Sequence, residues 1–300
     1  MSSSWRGYLW GVCLLLVGIS SARAQQGELI IIGGGKRPPA VLQRFVREAL
    51  RYGPGPILVL PMASAAPEEV GKSQAEELRR IGGEAAAGRV QVLNITRSEA
   101  FAESTLKRLR SAAGIFISGG SQSRFMDVVQ NTPFEKVLRE RYRQGAVIAG
   151  TSAGAAVQSK MMITGGERFP LDKDHPYSVL RAGNIVFRRG LGLLPDVVID
   201  QHFVARRRFN RLLSLVLEHP DYLGVGIDES TAIWVKPDRT FEVLGEHNIV
   251  VVDASHATIS KPNPWLEAAG VRLQVLRAGA VYDLAKRQVL RLGGAPVPKE

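Results

Sequence analysis

The sequence predicts an α/β fold, in which a mainly parallel sheet is covered by helices on both faces and followed by a β-rich C-terminal extension. Three observations carry this expectation. Short apolar runs rich in β-branched residues recur along the chain, amphipathic stretches separate them, and beyond residue 223 that alternation ends. A strand that is apolar at every position is buried on both faces, the situation of parallel strands joined by crossover helices.

Leu29–Ile32 is the first such strand and runs into Gly33-Gly34-Gly35. Residues 41–52 follow with Val41, Phe45 and Ala49 at helical spacing. The next strands are Ile57–Leu60, residues 90–95, Gly114–Ile117 and residues 146–149. Helices are expected over residues 68–81, 101–112 and 134–144, and residues 197–199 form another strand-like run. Residues 232–235, 240–244 and 249–252 read as antiparallel strands, joined by turns at Pro237-Asp238 and Gly245-Glu246. No linker precedes them, so residues 25–300 are expected to form a single domain.

The first 24 residues read as an export signal. Arg6 supplies the positive start, residues 9–19 the apolar stretch, and Ser20-Ser21-Ala22-Arg23-Ala24 a small-residue cleavage site before Gln25. The apolar stretch is short for a membrane span. A periplasmic or extracellular location follows, with no stable membrane association after cleavage. Cys13 is the single cysteine and lies within this signal, so the mature chain would hold no thiol or disulfide. The formal net charge of +11 suits acidic partners, but Lys and Arg are dispersed and not interleaved with aromatics, which argues against nucleic acid. His and carboxylate residues are too scattered to suggest a metal site, and no cofactor is expected.

The run Gly150-Thr151-Ser152-Ala153-Gly154 after an apolar strand has the form of a nucleophile elbow, in which glycines allow a sharp turn that lifts a serine hydroxyl above the sheet. A helix over residues 153–160 would complete it. Ser152 needs a base. Of the five histidines, His202 ends the strand-like run ahead of it and is the best placed; His175 and His219 lie beside prolines. Glu167, Asp172, Asp200 and the pair Asp228-Glu229 are candidates for the acid that orients it, and spacing does not choose among them. Ala153 N–H and a donor from Gly119-Gly120, for which Gly120 is taken, would form the oxyanion hole.

Ile117-Ser118-Gly119-Gly120-Ser121-Gln122, Gly150-Thr151-Ser152-Ala153-Gly154-Ala155, Asp200-Gln201-His202-Phe203 and Gly224-Val225-Gly226-Ile227-Asp228-Glu229, in this order, resemble the cyanophycinase family of serine peptidases, which is related to aspartyl dipeptidase. The resemblance implies a glutamine-amidotransferase-like three-layer sandwich and a homodimer. It implies Ser152 as nucleophile and His202 as base, with the acid favoured at Glu167 and Asp172 in reserve. It further implies hydrolysis of cyanophycin, a polyaspartate with arginine on each β-carboxyl, to β-Asp-Arg. Gln122, Asp200, Arg206, Arg208 and Arg211 would line the substrate cleft. Two other readings are a peptidase for small aspartyl or isoaspartyl dipeptides and a non-catalytic exported binding protein. The latter would dispense with a triad member, whereas Ser152 and His202 are both present.

Overall fold

In the computed structural model, which describes residues 27–169, 175, 177–262 and 264–294, two sheets meet at the carboxyl end of the first strand. The signal-like segment lies outside the described residues. The chain begins with β1 (Leu29–Ile32), α1 (Pro39–Tyr52), β2 (Ile57–Leu60), α2 (Pro67–Gly82), α3 (Glu84–Ala87) and β3 (Val90–Val92). It continues through a 3₁₀ turn into α4 (Glu103–Arg110), β4 (Gly114–Ile117), α5 (Gln122–Val129), α6 (Pro133–Arg143), β5 (Val147–Thr151) and α7 (Ala153–Ala156). A hairpin of β6 (Met161–Glu167) and β7 (Ile185–Arg189) leads to β8 (Val197–Gln201), α8 (Phe209–Glu218) and β9 (Leu223–Ile227). The C-terminal part consists of β10 (Thr231–Val235), β11 (Thr240–Gly245), β12 (Ile249–Asp253), β13 (Thr258–Ser260), β14 (Glu267–Ala269), β15 (Arg272–Leu276), β16 (Val281–Asp283) and β17 (Gln288–Arg291).

The large sheet has the order β17-β16-β11-β10-β1-β5-β4-β2-β3. From β1 to β3 neighbouring strands are parallel, and from β1 to β17 they are antiparallel. Alternate residues of each strand therefore serve two cores. Ile30 and Ile32 pack with Leu42, Phe45 and Leu78 of α1 and α2. Leu29 and Ile31 share the opposite core with Leu106, Phe125 and Leu138 from α4, α5 and α6.

The same core contains Ile199, Val225 and Val251 from a second sheet of order β15-β12-β9-β8, so that sheet covers the large one where helices do not. The C-terminal extension divides between the two: β10 and β11 lengthen the large sheet, whereas β12 joins the small one. Helix α7 is shorter than residues 153–160 would allow. The Ser159 hydroxyl accepts from the Ile199 N–H at 2.9 Å, drawing the chain away from the helix axis towards β8. Helix α5 and the β6–β7 hairpin are absent from the sequence expectation.

One polar pair is enclosed in this framework. Asp200 and Arg211 are 1% exposed each and join in a bidentate contact, with Arg211 Nε donating to Asp200 Oδ2 at 2.7 Å. Removing one partner strands a charge, at a cost of roughly 3–5 kcal/mol. Asp200→Ala is expected to lower unfolding stability by about that amount. The double replacement Asp200→Leu with Arg211→Met should recover part of it. Urea unfolding of both variants checks this; a double variant no more stable than the single one would refute the account.

Candidate active site

Ser152 follows β5 with φ 53° and ψ −110°, a left-handed conformation rarely adopted by a side-chain-bearing residue. Its N–H donates to the Ile32 carbonyl at 3.0 Å, fixing the turn to β1. The flanking glycines are sterically required. A Cβ on Gly150 would lie 2.1 Å from the Gly154 carbonyl oxygen, and one on Gly154 would lie 2.1 Å from the Ile117 carbonyl oxygen.

His202 follows β8, also with positive φ (49°), and its N–H donates to the Gly33 carbonyl at 2.8 Å. The ring nitrogen Nε2 stands 2.8 Å from Ser152 Oγ, and Nδ1 stands 2.5 Å from Glu229 Oε1. These contacts are satisfied together when Nδ1–H donates to the carboxylate and Nε2 accepts from the serine hydroxyl. Glu229 arrives through strand register. Strands β8 and β9 are parallel with Gln201 opposite Ile227, so the residues just beyond both ends share one edge. Its neighbour Asp228 accepts from the N–H groups of Val204 and Ala205 and secures the loop after His202.

The glycine run after β1 provides the room. A Cβ on Gly34 would lie 2.3 Å from the His202 ring, and one on Gly35 would lie 2.8 Å from Glu229 Cβ. Burial holds the His202 pKa below the ordinary imidazole value; the Glu229 hydrogen bond pulls it up and the Arg206 charge pushes it down. The ring is accordingly poised to accept a proton at neutral pH.

The cleft beside Ser152 has a volume of about 400 Å³, and its lining includes Gly120, Arg37, Gln74 and Arg206. The Gly120 N–H lies between those of Ser118 and Ser121, which are engaged by the Leu60 and Ala63 carbonyls. Ala153 opens α7, so the helix itself offers its N–H no acceptor. Gly119 and Gly120 line the same cleft as Ser152.

Glu167 does not meet His202. Its Oε1 accepts from Asn184 Nδ2 and its Oε2 from the Tyr177 N–H, both at 2.9 Å, so it organises the β6–β7 hairpin instead. Asp172 lies outside the described residues. Position between serine and histidine in sequence is therefore a poor guide; Glu229 was one of several carboxylates that spacing left open, and the β8–β9 register singles it out.

Asp200 and Arg211 do not line the open cleft, because each is buried and bonded to the other. Arg208 turns inward, donating to the Gln201 carbonyl at 2.6 Å and also engaging the Gln201 side chain. Gln122 is buried, with its amide donating to the Ile163 carbonyl at 2.8 Å. Arg206 is the member of this basic cluster that lines the cleft. Arg37, for which the sequence offers no distinguishing signal, lines it as well. Among the described residues, no group of three or more His, Cys, Asp or Glu side chains could hold a metal ion. Nor is any described helix long and apolar enough to cross a membrane.

Glu229→Gln is expected to lower kcat by about 10³–10⁴-fold, because the wrong imidazole tautomer is then favoured. Glu167→Gln should leave kcat close to that of the parent. Steady-state rates decide, and the reverse ranking would return the acid's role to Glu167. Arg206→Ala removes a charge that depresses the His202 pKa, so the acid limb of kcat/KM should move to higher pH. A pH profile that stays in place would show that the charge does not reach the imidazole.

Residues 29–243 match the model of Peptidase family S51. The cyanophycinase of Nostoc sp. is 37% identical over 278 residues, spanning 89% of this chain and 89% of its own. The cyanophycinase of Synechococcus elongatus is 35% identical over 277 residues, spanning 88% of this chain and 81% of its own. Among solved structures, a peptidase from an acI-B1 Actinobacterium shares the fold, with a TM-score of 0.61 at 21% identity over 86% of this chain and 97% of that one.

Proposed function

This chain belongs to peptidase family S51, with the cyanophycinases among its relatives, and on that premise we propose that it is an exported serine exopeptidase releasing β-Asp-Arg from cyanophycin. The observation that carries the catalytic part is the continuous contact Ser152–His202–Glu229 at the wall of a cleft. Ser152 Oγ attacks the carbonyl carbon of an aspartyl peptide bond while His202 Nε2 takes the hydroxyl proton. Glu229 holds the imidazole in the required tautomer and stabilises it once protonated. The negative charge that develops on the carbonyl oxygen meets the N–H groups of Ala153 and Gly120. The C–N bond then breaks, and the proton on Nε2 passes to the leaving amine. Water attacks the resulting ester, giving one proton to His202; the proton returns to Ser152 Oγ as the ester bond breaks.

The cyanophycin reading is supported by relatives named for that activity over nearly the whole chain, and by Arg206 in a cleft suited to a substrate rich in carboxylates. Export is supported by the pattern of residues 6–24.

Protein recovered from outside the cytoplasm is expected to begin at Gln25 and to convert insoluble cyanophycin into soluble β-Asp-Arg, identified by mass spectrometry. Ser152→Ala should release none. An unchanged Met1 on the recovered protein would overturn cleavage of the signal, confinement of the protein to the cytoplasm would overturn export, and failure of the parent to release dipeptide would overturn the substrate. Equal release by the variant would overturn the nucleophile.

A further inference from the structure

The charged side chains at the cleft wall include two guanidinium groups, and one is held by a device unrelated to the Ser152–His202–Glu229 contact. Arg37 follows the glycine run after β1 and donates through Nε and Nη2 to a single oxygen of Glu77, at 3.1 and 2.7 Å. Glu77 lies on α2, one turn beyond Gln74 and two beyond Val70, both of which line the cleft with Arg37. The helix that forms this wall therefore also carries the anchor of the arginine. Among the described residues, Glu77 is the hydrogen-bond partner of Arg37, which leaves the Nη1 edge of the guanidinium available. Both side chains are about one-quarter exposed, so the pair sits at the rim, neither buried nor free in solvent.

We propose that Arg37, oriented by Glu77, is a carboxylate-binding subsite that receives the α-carboxylate of an arginyl group on the substrate. This rests on the cyanophycin reading above for the identity of the ligand. Arginine joined through its α-amino group to a β-carboxyl keeps its own carboxylate free. A planar guanidinium restrained on one edge presents its other donors to such a group with little further loss of side-chain freedom. Arg206 stands next to the His202 loop, where its charge acts on the imidazole. Arg37 is bonded to α2 and is separated from that loop in sequence and in attachment. The two arginines thus have different work: Arg206 acts at the reacting centre, and Arg37 selects the substrate's side group.

The test needs no turnover. Binding of β-Asp-Arg and of its C-terminal amide is measured by calorimetry on the Ser152→Ala protein, and on the same protein carrying Arg37→Ala or Arg37→Lys. With Arg37 present, the carboxylate ligand should bind about tenfold or more tightly than the amide. Arg37→Ala should remove that preference, and Arg37→Lys should retain part of it. Equal binding of the two ligands to the Arg37 protein, including no binding of either, would overturn the subsite. A preference that survives in Arg37→Ala would overturn it too. Cyanophycin release by the parent enzyme, followed in parallel, separates this inference from the one it rests on. Hydrolysis without ligand preference removes the subsite alone, and preference without hydrolysis removes the substrate assignment alone.

Discussion

The active site depends on a hydrogen bond that crosses from one sheet to the other, from the His202 N–H to the Gly33 carbonyl. Ser152 belongs to the large sheet through β5, whereas His202 and Glu229 follow β8 and β9 of the small one. Their side chains meet because the two sheets are sewn together where β1 ends. The Gly33 N–H donates to the Thr231 carbonyl, continuing the β1–β10 pairing of the large sheet, and the Ser230 N–H, in the link from β9 to β10, donates to the Gly34 carbonyl. Backbone must approach backbone and imidazole more closely there than a Cβ permits, which is why three glycines stand in succession. Ser152 and His202, both at positive φ, are each held by a main-chain bond to this same strand end.

Buried charge supports the arrangement from behind. Asp200 Oδ1 accepts from the Gln201 N–H and from Arg211, so the last residues of β8 are tied to α8. Tyr177 contributes a hydroxyl 3.2 Å from Arg211 Nη1 and hydrogen-bonds the Gly165 carbonyl, connecting that pair to the β6–β7 hairpin. Glu167 accepts from the Tyr177 N–H and thus belongs to this support. Nearby Arg208 has its pKa pushed down to about 10 by burial and by the Arg211 charge, and the Gln201 side chain and carbonyl engage its donors. A basic cluster that looks uniform along the chain therefore separates into inward-facing structural members and Arg206, which faces the cleft.

Placing the small sheet over the antiparallel half of the large one also accounts for the C-terminal strands. Phe241 and Tyr282 stack with ring centroids 5.1 Å apart in the core that also holds Ile199, Val225 and Val251. The extension thereby backs the strands that deliver His202 and Glu229. It is structural support for the site, attached without a linker.

The sequence by itself determined the parallel strands β1, β2, β4 and β5, the glycine-flanked turn at Ser152 and the position of His202 at a strand's end, because each is written in local pattern. Continuous apolar runs mark buried strands, G-x-S-x-G marks a turn that only small neighbours allow, and a histidine at a strand's end has a rigid mount. Only the tertiary structure decided which acid meets the imidazole, which arginines face the cleft, and that Arg37 is one of them. Those facts depend on the pairing of β8 with β9, on the docking of α2 beside the glycine run, and on burial of Asp200 with Arg211. Each joins residues distant in the chain through register and packing, and periodicity within a segment carries no information about the partner opposite.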